Sequence, residues 1–336
     1  MKDPTEKDIL VEVKDLVKWF PVQQSMLERL MSRRKDHVRA VDNLSFAIQR
    51  GEVFGLAGES GSGKTTTGRL VLRLIEPTAG QVLFDGIDLS SLSGEEMRRL
   101  RRRMQAIFQD PFASLNPRMK LGNAIGHSLK IHGLAEGDEV RHQVNRIMEH
   151  VGLTPPNFFY DKYPHQISGG QRQRVVVARA LVTRPDLVLA DEPIAMADVS
   201  VRAQLLDLLK SLRDEFQLTY LFITHDLATA KYICDRIAVM YLGKISELGE
   251  LLQVYRKALH PYTRALLEAV PVPDPKSRRT EALPRGEIPS PINPPLGCRF
   301  HPRCPIAKPD CSEVEPELRE LEPGHLVACH YAEQFL

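Results

Sequence analysis

The sequence lacks any long apolar run. None of its hydrophobic stretches approaches the roughly 20 residues that a helix needs to cross a bilayer, and the first eight residues contain no apolar segment of a secretion signal. We therefore expect a soluble, cytoplasmic chain, and any role at a membrane would have to come through a partner.

An excess of charge of one sign is also missing. The 336 residues include 45 Lys and Arg and 43 Asp and Glu, which gives a formal net charge of +2. A nucleic-acid binder usually shows a clear basic excess, so the composition gives no case for a nucleic-acid partner. The basic run Arg98–Arg103 is better explained as a charged helix face, because no aromatic residue interrupts it.

Cysteine is scarce, and its distribution is uneven. Cys234 lies alone, whereas the other four cysteines crowd the C-terminal end, at Cys298, Cys304, Cys311 and Cys329. In a reducing compartment this clustering favours a metal site over disulfides. The intervening counts of five, six and seventeen residues disfavour a zinc ribbon but leave zinc open. Three histidines could substitute as ligands, although surface positions would explain them equally: His301, His325 and His330.

Glycine is concentrated in Gly58-Glu59-Ser60-Gly61-Ser62-Gly63-Lys64-Thr65. The apolar segment Val53–Ala57 precedes this stretch and predicts a buried strand, and Thr66–Leu72 can continue a helix. Strand, glycine loop and helix form the context in which a P-loop holds a phosphate with its backbone N–H groups. Lys64 would neutralise the phosphates and the Thr65 hydroxyl would bind Mg²⁺.

Two adjacent carboxylates, Asp191 and Glu192, end the apolar run Leu187–Ala190. The carboxyl end of a parallel strand faces the ligand crevice of an α/β sheet. Carboxylates at that position suit a Mg²⁺ ion and a general base for water.

A third motif is Ser168-Gly169-Gly170-Gln171. Alone, it would be a helix N-cap. Together with the P-loop, Gln109, the Asp191-Glu192 pair, Asp198 and His225, in this order, it resembles the nucleotide-binding subunit of an ABC transporter over roughly residues 9–270. A helix that begins at Ser168 could both cap itself and offer N–H groups to a γ-phosphate.

The resemblance implies an α/β fold: a P-loop ATPase core with a parallel sheet, an antiparallel β subdomain and a helical insertion. We expect a nucleotide-binding domain at 1–270, with its helical subdomain at about 112–180. Eight prolines mark a linker at 271–295, which cannot be regular helix or central strand. A small cysteine-bearing extension would follow at 296–336, separated by this linker from the ATPase body.

The resemblance also implies a role for each matching position. ATP would be bound by Phe20, stacked on adenine, and by Ser60, Gly61, Ser62, Gly63, Lys64, Thr65 and Thr66. Mg²⁺ would be held by Thr65, Gln109 and Asp191. Hydrolysis would depend on Glu192, which polarises the attacking water, with Gln109 and His225. A partner's ATP would be covered in trans by Ser168, Gly170 and Gln171, and Asp198 would serve communication across the dimer.

One segment departs from the family pattern. Where related subunits commonly carry a Ser-Ala-Leu-Asp-like segment, this chain has Ala195-Met196-Ala197-Asp198. Asp198 is kept, but a hydroxyl and a larger apolar residue are missing. The departure concerns communication across the dimer and leaves the ATP chemistry in place.

Within the family, three segments resemble the ATP-binding subunits of dipeptide, oligopeptide and nickel importers: Phe108–Pro117, Tyr163–Gln166 and His260–Thr263. In that group the cysteine tail is associated with a four-iron, four-sulfur cluster, and zinc is the alternative. The implied partners are a second ABC ATPase subunit, by preference in a heterodimer, two transmembrane permease subunits and an extracellular solute-binding protein. The chain would then be peripheral to the cytoplasmic face of the membrane.

Other functions remain open at this point. The cargo could be a peptide, an oligosaccharide or nickel. Some ABC ATPases act instead on ribosomes or nucleic acid, but those usually hold two cassettes or a long coiled coil, and this chain has one cassette and no heptad run. A generic P-loop kinase would lack Ser168–Gln171 and His225.

Overall fold

The computed structural model describes residues 8–22, 36–270 and 287–336. Within these ranges the strands are β1 (Ile9–Pro21), β2 (His37–Gln49), β3 (Val53–Ala57), β4 (Ala79–Phe84), β5 (Ile87–Asp88), β6 (Met104–Ile107), β7 (Leu187–Asp191), β8 (Thr219–Thr224), β9 (Arg236–Tyr241), β10 (Lys244–Glu250), β11 (Arg319–Glu322) and β12 (His325–Val327). The α-helices are α1 (Lys64–Val71), α2 (Gly94–Leu100), α3 (Pro111–Ser114), α4 (Leu121–Ile131), α5 (Gly137–His150), α6 (Pro156–Tyr160), α7 (Gly169–Leu181), α8 (Val199–Phe216), α9 (Leu227–Ile233), α10 (Leu251–Arg256), α11 (Pro261–Glu268) and α12 (Asp310–Glu313). No helix in the described part of the chain is long and apolar enough to cross a membrane.

The chain divides into two compact units. The helical unit comprises Ile48–Val53 and Asp88–Ile223, together with the described residues up to Leu10. The P-loop unit comprises Val11–Ala47, Phe54–Ile87 and Thr224–Leu336.

The centre of the helical unit is the parallel pairing of β6, β7 and β8. Met104 pairs with Leu187, and Leu187 pairs with Thr219. Every residue of β7 is buried, which explains why its sequence is a continuous apolar run rather than an alternating one. The parallel register places Asp191 at the carboxyl end of β7.

Helices α3 to α7 occupy the chain between β6 and β7. Helix α4 packs against α5 and α7, and it buries Leu121, Ile125 and Leu129. This spacing of three to four residues is the helical periodicity on which the predicted helical insertion rests.

The P-loop unit contains an antiparallel sheet in the order β2-β1-β4-β5. Val13 of β1 pairs with Val82 of β4, and both side chains are buried. Asp85 and Gly86 connect β4 to β5 with φ angles of 53° and 77°, the left-handed geometry that Asp-Gly hairpins favour.

The same unit holds a second run of paired strands. β3, which leads into the glycine loop, is parallel to β9, and β9 is antiparallel to β10. The C-terminal extension continues this run, because Glu247 of β10 pairs with Val327 of β12, and β12 pairs with β11.

The extension is therefore not the isolated module that the Pro-rich linker predicts. Its strand β12 makes backbone hydrogen bonds with β10, and the Ala328 N–H donates to the Ser246 carbonyl at 2.8 Å. Residues 271–286 of the linker lie outside the described residues, but its end is placed on β2, where the Arg39 N–H donates to the Pro291 carbonyl at 3.1 Å.

A buried carboxylate reinforces this junction. Glu247 accepts hydrogen bonds from the N–H groups of Leu259 and His260 at 2.8 and 3.1 Å. Its Oε1 also lies 2.7 Å from His325 Nε2, and both side chains are fully buried. Glu247 thus ties β10 to β12 and to the start of α11, and its hydrogen bonds offset part of the desolvation cost of burying a carboxylate.

Candidate active site

The glycine loop lies between β3 and α1. Gly58 and Gly63 have φ angles of 144° and 104°, a region that side chains other than glycine rarely adopt. A Cβ atom at Gly58 would lie 2.2 Å from the Met240 carbonyl oxygen, and one at Gly63 would lie 2.2 Å from the Ala40 carbonyl oxygen. Close backbone neighbours and backbone conformation therefore both require glycine at these two positions.

Lys64 begins α1 with its side chain buried. Its Nζ donates to the carbonyls of Gly58 and Glu59, each at 2.8 Å, and to Ser62 Oγ at 3.3 Å. The ammonium group is thus held inside the curve of the loop. A cation at the positive end of a helix creates a strong local attraction for a phosphate.

The structure brings Glu192 and Gln109 together in the helical unit. Gln109 Nε2 donates to Glu192 Oε2 at 3.0 Å. Asp191 is buried at the end of β7, and the Glu192 N–H donates to the Ile223 carbonyl at 3.0 Å. Three predicted site residues, Gln109, Asp191 and Glu192, therefore lie at the carboxyl ends of the parallel strands β6 and β7.

Glu192 adopts an unusual backbone conformation, with a φ of 48°. For a residue other than glycine this costs on the order of 1–3 kcal/mol, and such residues often occur at functional sites. The backbone hydrogen bond to Ile223 holds this conformation, and the hydrogen bond from Gln109 orients the carboxylate.

Ser168 caps helix α7. Its Oγ accepts from the Gln171 N–H at 3.3 Å, and Gln171 Oε1 accepts from the Ser168 N–H at 3.0 Å. The predicted N-cap is present, and Gln171 completes a capping box with Ser168. Ser168 and Gly169 are exposed in this chain, so the start of α7 is accessible to another molecule.

Asp198 is exposed and precedes α8, where its carbonyl accepts from the N–H groups of Val201 and Arg202. Arg202 Nε also donates to the Ala197 carbonyl at 2.8 Å. The backbone around Asp198 is therefore held by the helix that it begins. Met196, one of the residues that depart from the family pattern, is 64% exposed.

His225 follows β8 and is exposed. The next residue, Asp226, caps α9 by accepting from the Ala228 N–H at 2.9 Å. His225 belongs to the P-loop unit and Glu192 to the helical unit.

The two neighbouring aromatic residues of β1 have different surroundings. Trp19 Nε1 donates to Asp42 Oδ1 at 3.2 Å, and the Arg39 guanidinium lies 4.7 Å from the Trp19 ring centroid. Phe20 is 37% exposed, with Lys18 Nζ 5.1 Å from its ring centroid. The Phe20 ring is thus partly exposed, with the Lys18 ammonium over it, whereas Trp19 is held by Asp42 and Arg39.

The family follows from comparison with known proteins. The model of the ABC transporter family matches residues 41–195, and that of the oligopeptide/dipeptide transporter C-terminal region matches residues 246–311. The oligopeptide transport ATP-binding protein AppF of Bacillus subtilis is 47% identical over 327 residues, which cover 96% of this chain and 98% of that protein. The chain belongs to the ATP-binding subunits of oligopeptide/dipeptide ABC transporters.

Solved structures agree with this assignment. The chain is similar to the ATP-binding cassette MJ0796, in a dimeric post-hydrolysis state bound to ADP and Pi, with 28% identity, a TM-score of 0.62 and coverage of 72% of this chain and 99% of that one. It is also similar to cbiO1 of Clostridium perfringens, with 26% identity, a TM-score of 0.63 and coverage of 74% and 92%. The predicted fold class and ATPase activity are confirmed: this ABC subunit binds ATP on a mixed α/β core with an antiparallel β subdomain.

The four C-terminal cysteines of the subunit line one small cavity. The Cys298 N–H donates to the Cys311 carbonyl at 2.8 Å. Burial raises the pKa of the Cys298 thiol to about 12 and that of Cys329 to about 11, and neighbouring thiols contribute. Burial also raises the pKa of Cys304. Four soft sulfur donors therefore lie around one cavity in which burial disfavours the thiolate form. A bound cation would compensate the negative charge of the thiolates.

The histidines near this cavity are already engaged. His301 Nδ1 lies 2.8 Å from the Cys298 carbonyl, and His330 Nε2 lies 2.9 Å from the Val314 carbonyl. The surface position considered for His325 is wrong, because the ring is fully buried beside Glu247. Among the described residues, no group of three or more His, Cys, Asp or Glu is arranged as a set of metal ligands. The case for a metal therefore rests on the type of donor atom, four thiols, and not on their arrangement.

Proposed function

We propose that this subunit hydrolyses ATP to drive uptake of a peptide-like solute through a membrane permease. The single observation that carries the catalytic part is the 3.0 Å contact between Gln109 and Glu192 at the end of β7. It aligns a carboxylate next to Asp191, in a family whose members bind and hydrolyse ATP. The peptide cargo is supported by similarity to AppF, which is described as an oligopeptide transport protein.

In the proposed reaction, water attacks the γ-phosphorus of ATP while Glu192 accepts a proton from that water. The bond from the γ-phosphorus to the bridging oxygen breaks, and its electron pair leaves on ADP. Lys64 and the loop N–H groups neutralise the phosphates, with Mg²⁺ supplying further positive charge when bound. The residues that would contact ATP are Phe20, Ser60, Gly61, Ser62, Gly63, Lys64, Thr65 and Thr66.

The other site residues have supporting roles in this proposal. Thr65, Gln109 and Asp191 would hold Mg²⁺, because hydroxyl, amide and carboxylate oxygens suit that ion. His225 would contact the γ-phosphate. Ser168, Gly170 and Gln171 would cover ATP bound to a second ATPase subunit, because the start of α7 is exposed, and Asp198 would lie near the same partner.

The assembly that we propose follows from the chemistry of transport. Two transmembrane permease subunits would move the solute and an extracellular binding protein would select it, a proposal supported by the similarity to oligopeptide transport proteins. We propose a heterodimer with a related ATPase, bound to the cytoplasmic face of the membrane.

The test of cargo and assembly is uptake into proteoliposomes. The complete transporter is supplied with internal ATP and with radiolabelled peptide, oligosaccharide or Ni²⁺ outside. We expect uptake of peptide that requires both ATP and the binding protein. Uptake of oligosaccharide or Ni²⁺ without uptake of peptide would reject the peptide cargo. Co-purification with ribosomes rather than with a permease would overturn the transport function.

We further propose that Cys298, Cys304, Cys311 and Cys329 hold a four-iron, four-sulfur cluster, with zinc as the alternative. The support is the convergence of the four thiols in one cavity, a donor set that suits either metal. Bound metal would stabilise the thiolates and thereby the fold of the extension.

Metal analysis separates the two alternatives. In anaerobically purified protein, we expect iron and acid-labile sulfide in equal amounts, and we expect the substitution Cys304→Ser to release both. Cys234→Ser is the matched control, since Cys234 is buried directly after α9 and does not line the cavity. Zinc without sulfide would reject the cluster, and absence of both metals would reject the site.

A further inference from the structure

The cysteine-bearing extension reaches the glycine loop through Arg303. Its guanidinium forms two parallel hydrogen bonds with Glu59, the second residue of the loop, with Nη1 2.7 Å from Oε2 and Nη2 3.0 Å from Oε1. The side chains are only 5% and 18% exposed. A paired, poorly hydrated contact of this geometry is stronger and more directional than a surface ion pair.

The backbone of Glu59 is held as well as its side chain. The Glu59 N–H donates to Tyr262 Oη at 2.8 Å, and the Tyr262 ring is fully buried. Tyr241 and Phe300 pack around it, with ring centroids 4.7 and 5.3 Å from that of Tyr262. Glu59 is therefore fixed at two points by residues that lie far from it in sequence.

Glu59 in turn contacts the lysine that begins α1. The Glu59 carbonyl accepts a hydrogen bond from Lys64 Nζ at 2.8 Å. A continuous series of contacts thus runs from Arg303 through Glu59 to Lys64. Because Arg303 directly precedes Cys304, the series begins at the wall of the cysteine cavity.

We propose that Arg303 is a positioning residue for the ATP site: it holds Glu59 so that the glycine loop keeps the curvature that binds phosphate. Without Arg303, the Glu59 carboxylate would remain largely buried without its cation, an arrangement that is costly enough to displace the residue toward water. Displacement of Glu59 would move the carbonyl that orients Lys64. The proposal rests on ATP binding at this loop and adds the extension as part of the phosphate site.

The test measures Mg-ATP affinity and hydrogen exchange of the loop N–H groups on the full-length chain. For Arg303→Gln and for Glu59→Gln, we expect about tenfold weaker ATP binding, which corresponds to about 1.4 kcal/mol, and faster exchange over residues 58–65. Arg303→Lys should restore part of the affinity, because it keeps the charge but loses the paired geometry.

A matched control is available in the same extension. Arg299 is as buried as Arg303, at 6% exposure, and pairs with Asp42 instead of a loop residue. We expect Arg299→Gln to lower thermal stability while the folded protein keeps its ATP affinity. Equal losses of affinity in the two variants would show that binding follows stability alone, and would overturn the proposal.

Two further outcomes are decisive. If Arg303→Gln does not fold, Glu59→Gln tests the same pair from the other side, and unchanged affinity within twofold in that variant would reject the positioning role. Lys64→Ala is the control for the ATP site itself, and we expect it to abolish ATP binding. If Lys64→Ala abolishes binding while Glu59→Gln leaves the affinity unchanged, only the positioning role is rejected. If the wild-type chain binds no ATP, the proposed function is overturned as well.

Discussion

At the scale of single residues, the glycine loop illustrates how close packing restricts a sequence. Gly58 and Gly61 both have positive φ angles, of 144° and 79°. A Cβ at Gly58 would meet the Met240 carbonyl oxygen, whereas at Gly61 no atom lies within 4 Å. The two positions therefore share a backbone requirement but differ in the space around them.

This difference predicts unequal effects of substitution by alanine. Gly61→Ala should cost about 1 kcal/mol of stability, the penalty of the left-handed conformation. Gly58→Ala should cost more than this and weaken ATP binding, because the added methyl group must displace the backbone of β9. Thermal denaturation and ATP titration of both variants provide the measurement. Equal costs at the two positions would show that the loop relaxes freely.

Single residues also show where reasoning from sequence ends. The glycine loop and the Asp191-Glu192 pair could be predicted because each depends on residues adjacent in the chain. The Arg303–Glu59 pair could not, because 244 positions separate its members. His325 has no local signal of burial either, since its burial depends on Glu247 in another strand.

At the scale of elements, helix α7 has two separable roles. Its capping box satisfies N–H groups at its own start, and its exposed first turn is proposed to cover a partner's ATP. The first role is a property of the isolated chain, whereas the second requires the assembled dimer.

Two substitutions of Ser168 distinguish these roles. Ser168→Ala should lower stability by about 1 kcal/mol through loss of the cap, and Ser168→Asp should retain most of that stability because Asp is also a good N-cap. In the assembled transporter both variants should lose ATPase activity, Asp more strongly because its charge would face the γ-phosphate. Activity of Ser168→Asp near the wild-type rate would contradict the trans role.

Elements also show which parts of the fold follow from local patterns. The apolar run of β7 and the spacing of α4 predict a buried strand and an amphipathic helix, and both are present. The placement of β11 and β12 beside β10 could not be predicted, because edge-strand pairing depends on a long-range register that short strands of four and three residues do not specify.

At the scale of the whole molecule, the C-terminal extension changes the expected organisation. The Pro-rich sequence predicts a spacer and thus an independent module. The structure instead joins the extension to the P-loop unit by strand pairing, by Glu247 with His325 and by Arg303 with Glu59. A linker sequence specifies the absence of regular structure but not the distance between the parts that it connects.

The central claim is that Glu192 is the base for hydrolysis within an assembled transporter. It is tested most directly by Glu192→Gln in the complete complex, with the corresponding carboxylate of the partner already neutralised so that only this chain's site is measured. We predict ATP affinity within about twofold of wild type, because the loop and Lys64 provide binding, and phosphate release slower by about 10²–10⁴-fold. Release near the wild-type rate with unchanged ATP affinity would contradict the account.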